Sequence, residues 1–249
     1  MKYLMSDSMH NVKYHFWPVF ILLVVMSVIF FIWPNIDLKT SHLFFTSYGF
    51  AAGPMDTMNF FLRGPIFKLA QKLVDIVYAT TLIISSLFII YAYIKRKQNL
   101  LTAALFIFFS FVLGPGLLVN AILKNHWGRP RPYYTQSFVW HKPYVRVWEI
   151  SNECDHNCSF VAGDSSTAFA FLAFAFLPFR KRYWKIIIAV LACIYFAVNG
   201  ILRIVHGAHY LSDVVIGALL IYLVILSCYQ LCYKSLFIRK IYMQHLSTS

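Results

Sequence analysis

Three polar clusters interrupt a chain that is otherwise almost continuously apolar: Lys124-x6-Arg131-Pro132, Gly163-Asp164-Ser165-Ser166 and Arg203-x5-His209-x3-Asp213. Cations, a glycine at a helix start and a His/Asp pair are the parts needed to hold a phosphate and attack it. His206, His209 and Asp213 stand at i, i+3 and i+7, a spacing that would put all three on one helical face. There Asp213 could accept a hydrogen bond from one ring nitrogen of His209, fixing the tautomer and leaving the other nitrogen nucleophilic. Gly163 would let a phosphate oxygen approach the unpaired N–H groups of a helix start. Each cluster also has a plain structural reading. The cations can be interhelical ion pairs, the histidine a helix cap, and Asp164, Ser165 and Ser166 capping residues. It is the convergence of three basic residues with one His and two Asp that points to an anion site.

The elements that must position these residues belong to a bilayer. Of 249 residues 60% are hydrophobic and only 12% charged, with 24 Phe, which exceeds the apolar content of an ordinary soluble domain. Apolar runs of spanning length fall at 16–33, 74–94, 101–123, 159–179, 184–202 and 210–233. The expected fold is therefore all-α, a single polytopic domain over residues 1–249 with six transmembrane helices. Helices rather than a barrel follow because the runs are continuous, whereas barrel strands alternate. The first run is long for a signal segment and lacks a small-residue cleavage site, so it reads as a retained anchor.

Basic residues orient the helices. Lys2, Lys13, Lys95, Arg96, Lys97, Arg180, Lys181, Arg182, Lys185, Lys234, Arg239 and Lys240 account for twelve of the 22, with only Asp7 opposing them. The rest of the chain holds ten basic and eight of the nine acidic residues. The positive-inside rule then places both termini in the cytoplasm, and the segments 34–73 and 124–158 outside. The net charge of +13 thus reads as topology. A nucleic-acid partner is disfavoured, since no basic stripe is interleaved with a soluble fold. The 34–73 segment carries Gly53-Pro54 and Phe60-Phe61, and is either an interfacial helix or a packed lid.

Cys193, Cys228 and Cys232 sit in apolar runs and read as small buried residues. Cys154 and Cys158 lie in the outward loop, where an oxidising compartment permits a disulfide bracing the entry to the fourth helix. That reading is favoured over free thiols. Zinc would need ligands beyond this pair and His156.

The motifs resemble the type 2 phosphatidic acid phosphatase superfamily, whose first and third motifs match Lys124-x6-Arg131-Pro132 and Arg203-x5-His209-x3-Asp213 with Gly163 between them. A closer likeness is to bacterial lipid A 4'-phosphatases. It is carried by Trp33-Pro34-Asn35-Ile36-Asp37, Gly114-Pro115-Gly116-Leu117, Lys124 to Pro132, Cys154 to Val161 and Gly163-Asp164. The resemblance implies that His209 attacks phosphorus to give a phosphohistidine, that Asp213 orients it, and that Lys124, Arg131, Arg203 and the Gly163 amide hold the phosphoryl oxygens. It implies no metal and no cofactor. The implied substrate is a membrane lipid, lipid A, at a periplasm-facing site in the bacterial inner membrane.

The chain departs from the superfamily at two points. Val161-Ala162-Gly163-Asp164 stands where the middle motif reads Pro-Ser-Gly-His, and Leu202 replaces the Ser before the motif arginine. The usual histidine acid is absent, which leaves Asp164 as a candidate acid and His206 as the alternative. A weak donor suits an anomeric 1-phosphate or a pyrophosphate, yet the likeness covers more positions and favours the 4'-phosphate. Phosphatidylglycerophosphate or polyprenyl pyrophosphate hydrolysis, lipid phosphotransfer and non-catalytic lipid binding are the alternatives. Arg129, separated from Lys124 by four rather than six residues and so outside the motif, is read as a contact for a sugar or second anionic group, a headgroup anchor or a solvated charge.

Overall fold

The computed structural model describes residues 2–45, 65–138 and 141–248. Helix α1 (Lys2–Ile32) is followed by the short α2 (Asn35–His42) and by α3 (Pro65–Ile94). Helix α4 (Gln98–Phe111) continues through wide π-helical turns at Val112–Leu123 into Lys124–His126. Pro115 explains the widening: a ring inside a helix removes one N–H and clashes with the preceding turn. The Pro115 carbonyl accepts from Asn120 Nδ2 at 2.9 Å. A 3₁₀ turn at Pro132–Tyr134 precedes α5 (Gly163–Ala170), itself prolonged as 3₁₀ helix through Phe171–Phe176. Helices α6 (Arg182–Val205) and α7 (Leu211–Thr248) complete the chain.

Five helical stretches are long and apolar enough to cross a membrane: His15–Ile32, Gln71–Ile94, Gln98–His126, Arg182–Val205 and Leu211–Lys234. They match five of the six expected runs to within a few residues. The run at 159–179 folds differently. Residues 159–162 are not helical, and α5 with its 3₁₀ extension is about 24 Å long, shorter than a hydrocarbon core of about 30 Å. The reason is that this segment spends its backbone on the motif loops. Ser159 N donates to Arg129 O at 2.9 Å, and Ala162 N to Asp213 O at 3.2 Å. The Gly53-Pro54 and Phe60-Phe61 features lie outside the described residues.

Helices α4 and α7 form the centre. Phe106, Phe111, Ile221, Ile225 and Leu226 are fully or almost fully buried there, with Phe106 edge-on to Tyr229 at 5.5 Å and Phe111 edge-on to Phe171 at 5.0 Å. Helices α1, α3 and α6 lie outside and present Ile21, Leu87 and Leu191 outward, each about three-fifths exposed. An apolar belt of that extent is disallowed on a water-soluble monomer and is what lipid contact requires.

One polar cluster is buried at the end of this bundle. Arg129 has no accessible surface, and all five of its N–H donors are used. Nε donates to Val145 O at 2.9 Å, Nη1 to Ser212 Oγ at 2.8 Å and Asp213 Oδ1 at 2.5 Å, and Nη2 to Asp37 Oδ2 at 2.8 Å and Tyr144 Oη at 3.1 Å. The guanidinium also lies over the Tyr210 ring at 4.3 Å. Burial works against its charge, yet Asp213 and Asp37 outweigh that, so its pKa stands above the ordinary guanidinium value. Asp37 in turn caps the start of α7, accepting from Ser212 N at 2.8 Å and Ser212 Oγ at 2.5 Å. Gly128 makes the approach of Arg129 practicable: its φ is +68°, and a Cβ there would stand 1.6 Å from Ser151 O.

This placement corrects the reading of Arg129 as a contact for substrate, headgroup or solvent. A fully enclosed guanidinium with no spare donor cannot serve any of them. Replacing Arg129 by Ala leaves two carboxylates buried without a cation, and should cost about 3–5 kcal/mol of stability. Thermal unfolding in detergent checks this, with Asp37→Asn in the Arg129→Ala background expected to recover part of the loss. An unchanged melting temperature would mean that the cluster does not hold the fold.

Candidate active site

Beside that cluster lies a cavity of about 350 Å³ with almost wholly polar walls. Helix α3 contributes Gln71, Asp75 and Tyr78, and α4 contributes Asn120 and Lys124. Arg131 and Asn157 come from the long connection, Gly163, Asp164 and Thr167 from α5, Arg203 from the end of α6, and His209 from the turn that follows. Residues about 80 positions apart meet because successive helices run antiparallel and deliver their motif ends to one layer.

The two motif cations are set by one loop residue. Lys124 Nζ donates to Asn157 Oδ1 at 3.1 Å, and Arg131 Nη2 to Asn157 O at 2.9 Å. Asn157 is held from behind: its own N–H donates to Asn125 Oδ1 at 3.3 Å, and Cys158 N to Lys124 O at 2.9 Å. A disulfide between Cys154 and Cys158, with Cα atoms 5.7 Å apart, closes the same turn.

Gly163 begins α5, and its lack of a side chain makes room for the cavity. A Cβ there would stand 2.9 Å from Asn120 Oδ1 and 3.0 Å from Lys124 Nζ, forcing the ammonium to move. No side chain caps the start of α5; Ser165 Oγ turns back to Ala162 O at 3.2 Å. The first N–H groups and the positive end of the helix therefore stand beside the lysine. Asp164, in the first turn, forms an ion pair with Arg203 across the cavity wall. The pair sets this carboxylate against a guanidinium at the cavity wall.

His209 is buried and its Nδ1 stands 2.7 Å from Ser159 O. A carbonyl can only accept, so Nδ1 carries the proton and Nε2 keeps the lone pair. Asp213 Oδ2 is 3.7 Å from the same nitrogen, beyond hydrogen-bond reach. The orienting acceptor is thus the Ser159 carbonyl, which the His/Asp spacing alone did not disclose, with Asp213 a nearby countercharge. Asp213 Oδ2 instead accepts from Ser159 Oγ at 2.5 Å and from Tyr210 N at 2.9 Å. The latter bond reaches from the third position of α7 back to its N-cap, half of a capping box. Burial first, then the Lys124 and Arg131 charges, push the His209 pKa down to about 3 against the opposing pull of Asp213. The imidazole is neutral at pH 7, the form that can attack phosphorus.

His206, His209 and Asp213 do not share one helical face. Helix α6 ends at Val205, His206 is its C-cap, and Gly207 at φ +65° breaks the chain before α7 starts at Leu211. His206 is buried and is not among the residues that line the cavity. Asp37, Ser159, Asn157 and Asp75 went unassigned from sequence. Asp75 carried a usable signal, being an ionisable residue inside an apolar run. Among the described residues no group of three or more His, Cys, Asp and Glu side chains is arranged to hold a metal ion.

The His209 environment has a consequence for acid stability. An unfolded histidine takes up a proton near pH 6.5, whereas the folded one does not until about pH 3. Between these values the unfolded state binds more protons, so stability falls as pH falls through that window. Replacing His209 by Gln should flatten the pH dependence of the melting temperature below pH 6.5. Parallel slopes for the two proteins would show that folded His209 protonates normally.

Comparison with known proteins agrees with this arrangement. The PAP2 superfamily profile matches residues 103–237, which include every motif residue named above. A lipid A 4'-phosphatase of Francisella tularensis subsp. novicida is 33% identical over 213 residues, covering 83% of this chain and 90% of its own. One from Rhizobium etli is 34% identical over 214 residues, covering 81% and 79%. Another, from Rhizobium leguminosarum, is 41% identical over 109 residues, covering 43% and 46%. No solved structure matches the chain. Lining a polar cavity with the motif residues at one end of apolar, membrane-crossing helices, this chain belongs to the PAP2 superfamily and is a membrane lipid phosphatase, a phosphoric monoester hydrolase similar to lipid A 4'-phosphatases.

Proposed function

We propose that the protein removes the 4'-phosphate of lipid A through a phosphohistidine on His209. The observation that carries the mechanism is the neutral, buried His209, with Nδ1 turned onto a backbone carbonyl and its ring in the wall of a cavity lined by three cations. Nε2 forms the bond to phosphorus as the bond to the sugar oxygen breaks. Lys124, Arg131, Arg203 and the Gly163 amide bind the three phosphoryl oxygens and stabilise the charge that develops on them. Asp213 lies close enough to offset the positive charge that the imidazole gains. Water then displaces the histidine and releases inorganic phosphate. The choice of the 4'-position rests on the relatives named for it.

We further propose one domain with six crossings of the bacterial inner membrane, the fourth made by the whole 159–179 stretch, of which α5 and its 3₁₀ extension are the helical part. Both termini are cytoplasmic and the cavity opens toward the periplasm, as do the segments 34–73 and 124–158. The basic-residue distribution supports this orientation, and a cavity at the bilayer edge lets a lipid present its phosphate while its acyl chains stay in the membrane.

Incubating the purified protein with defined lipid A, phosphatidylglycerophosphate and polyprenyl pyrophosphate, with mass spectrometry of the products, decides the substrate. Lipid A lacking its 4'-phosphate, with free phosphate released, is the expected product; loss of the 1-phosphate or transfer to a second lipid would redirect the assignment. His209→Ala should lower turnover by at least about 10³-fold with an unchanged melting temperature at pH 7.5, and near-normal activity would refute the mechanism.

Orientation is checked in spheroplasts that carry no other reactive cysteine. An impermeant thiol reagent should label a cysteine placed at Lys142 and spare one placed at Lys97. The reverse pattern would invert the topology.

A further inference from the structure

We infer that Asp75 of α3 is the proton carrier of the reaction, a catalytic residue from outside the three motifs; this rests on the phosphohistidine reading above. With Asp164 committed to Arg203 and His206 outside the cavity wall, the site still needs a group that can give a proton to the departing sugar oxygen. Asp75 lines the same cavity as His209 and is exposed to it. It forms no hydrogen bond or ion pair with any other described residue. The charged groups around the cavity come from every element packed there: Lys124 from α4, Arg131 from the connection, Asp164 from α5, Arg203 from α6, and His209 from the turn before α7. Lys124 and Arg203 both feel the Asp75 charge.

The position suits the chemistry. When a phosphate dianion enters, like charges are brought together, and a proton taken up from solvent onto Asp75 relieves their repulsion. In the first step His209 Nε2 forms the N–P bond, the P–O bond to the lipid alcohol breaks, and the alcohol oxygen takes the proton from Asp75. In the second, Asp75 takes a proton from water as the water oxygen bonds to phosphorus and the N–P bond breaks. His209 and protonated Asp75 are regenerated, with lipid alcohol and inorganic phosphate as products.

The test compares Asp75→Asn with wild type and Asp164→Asn, using the full-length protein in detergent. With lipid A, Asp75→Asn should lose about 10²–10⁴-fold in kcat, and the pH dependence of kcat/KM owed to this group should disappear. With p-nitrophenyl phosphate, whose leaving group needs no proton, the variant should still form the phosphoenzyme and accumulate it, because the base for hydrolysis is missing. Asp164→Asn should slow both substrates comparably. Retention of lipid A turnover within about threefold, an unchanged pH profile, equal losses in the rate of phosphoenzyme formation from both substrates, or selectivity of that rate moving to Asp164→Asn would each overturn the assignment. Failure of radiolabelled phosphate to attach to His209 in wild type would instead indict the nucleophile, so the two readings fail separately.

Discussion

A single guanidinium holds together the parts of this protein that lie farthest apart in sequence. Arg129 meets Asp37 from α2, Val145 and Tyr144 from the long connection, and Ser212 and Asp213 from the start of α7. A fully buried ion pair is not by itself a source of stability, because desolvating the charges costs about as much as their attraction returns. What it supplies is uniqueness. Five donors in a rigid planar fork accept only one arrangement of five acceptors, and once that arrangement exists the first turn of α7 can sit in only one place. Asp213 then has one oxygen on Arg129 and the other on Ser159 and the Tyr210 amide. Ser159 in turn holds the His209 ring.

Charge is divided between two neighbouring compartments. Arg129 and Arg131 are two residues apart, yet the first is enclosed among carboxylates and tyrosines while the second faces the cavity. The separation matters because a phosphate site needs cations whose donors are still available. Lys124 and Arg131 are positioned through the neutral Asn157, which orients them without cancelling their charge. Among the described residues, Arg203 is the cavity cation paired with a carboxylate, that of Asp164. The result is a surplus of positive charge around a neutral histidine, the field that a phosphoryl group would meet already organised.

The membrane explains why so much of the polar chemistry is crowded into one layer. Helices with lipid-facing surfaces cannot carry unpaired charges along their length, so reactive groups collect where helices start and stop. The wide turns of α4 around Pro115 and the helix break at Gly207 both occur on the approach to the cavity. Each supplies irregular backbone only where protein surrounds it.

Composition and continuous apolar runs determined an all-helical membrane protein and five of its long helices, because a bilayer demands backbone hydrogen bonds within each segment and side chains of one character. The spacing of Lys124, Arg131, Gly163, Arg203, His209 and Asp213 marked the residues that line or adjoin the cavity, since only cations and a nucleophile near a helix start suit a phosphate. Local periodicity misplaced the His206–Asp213 segment on one helix, because a glycine at positive φ divides it, and included 159–162 in the fourth apolar run, whose helix starts at Gly163. Tertiary structure alone decided that Arg129 is internal, that Ser159 rather than Asp213 orients His209, and that Asp75 faces the cavity. The physical reason is the same in each case: a charged side chain's role depends on which partners desolvate and pair with it, and those partners lie tens to more than a hundred residues away.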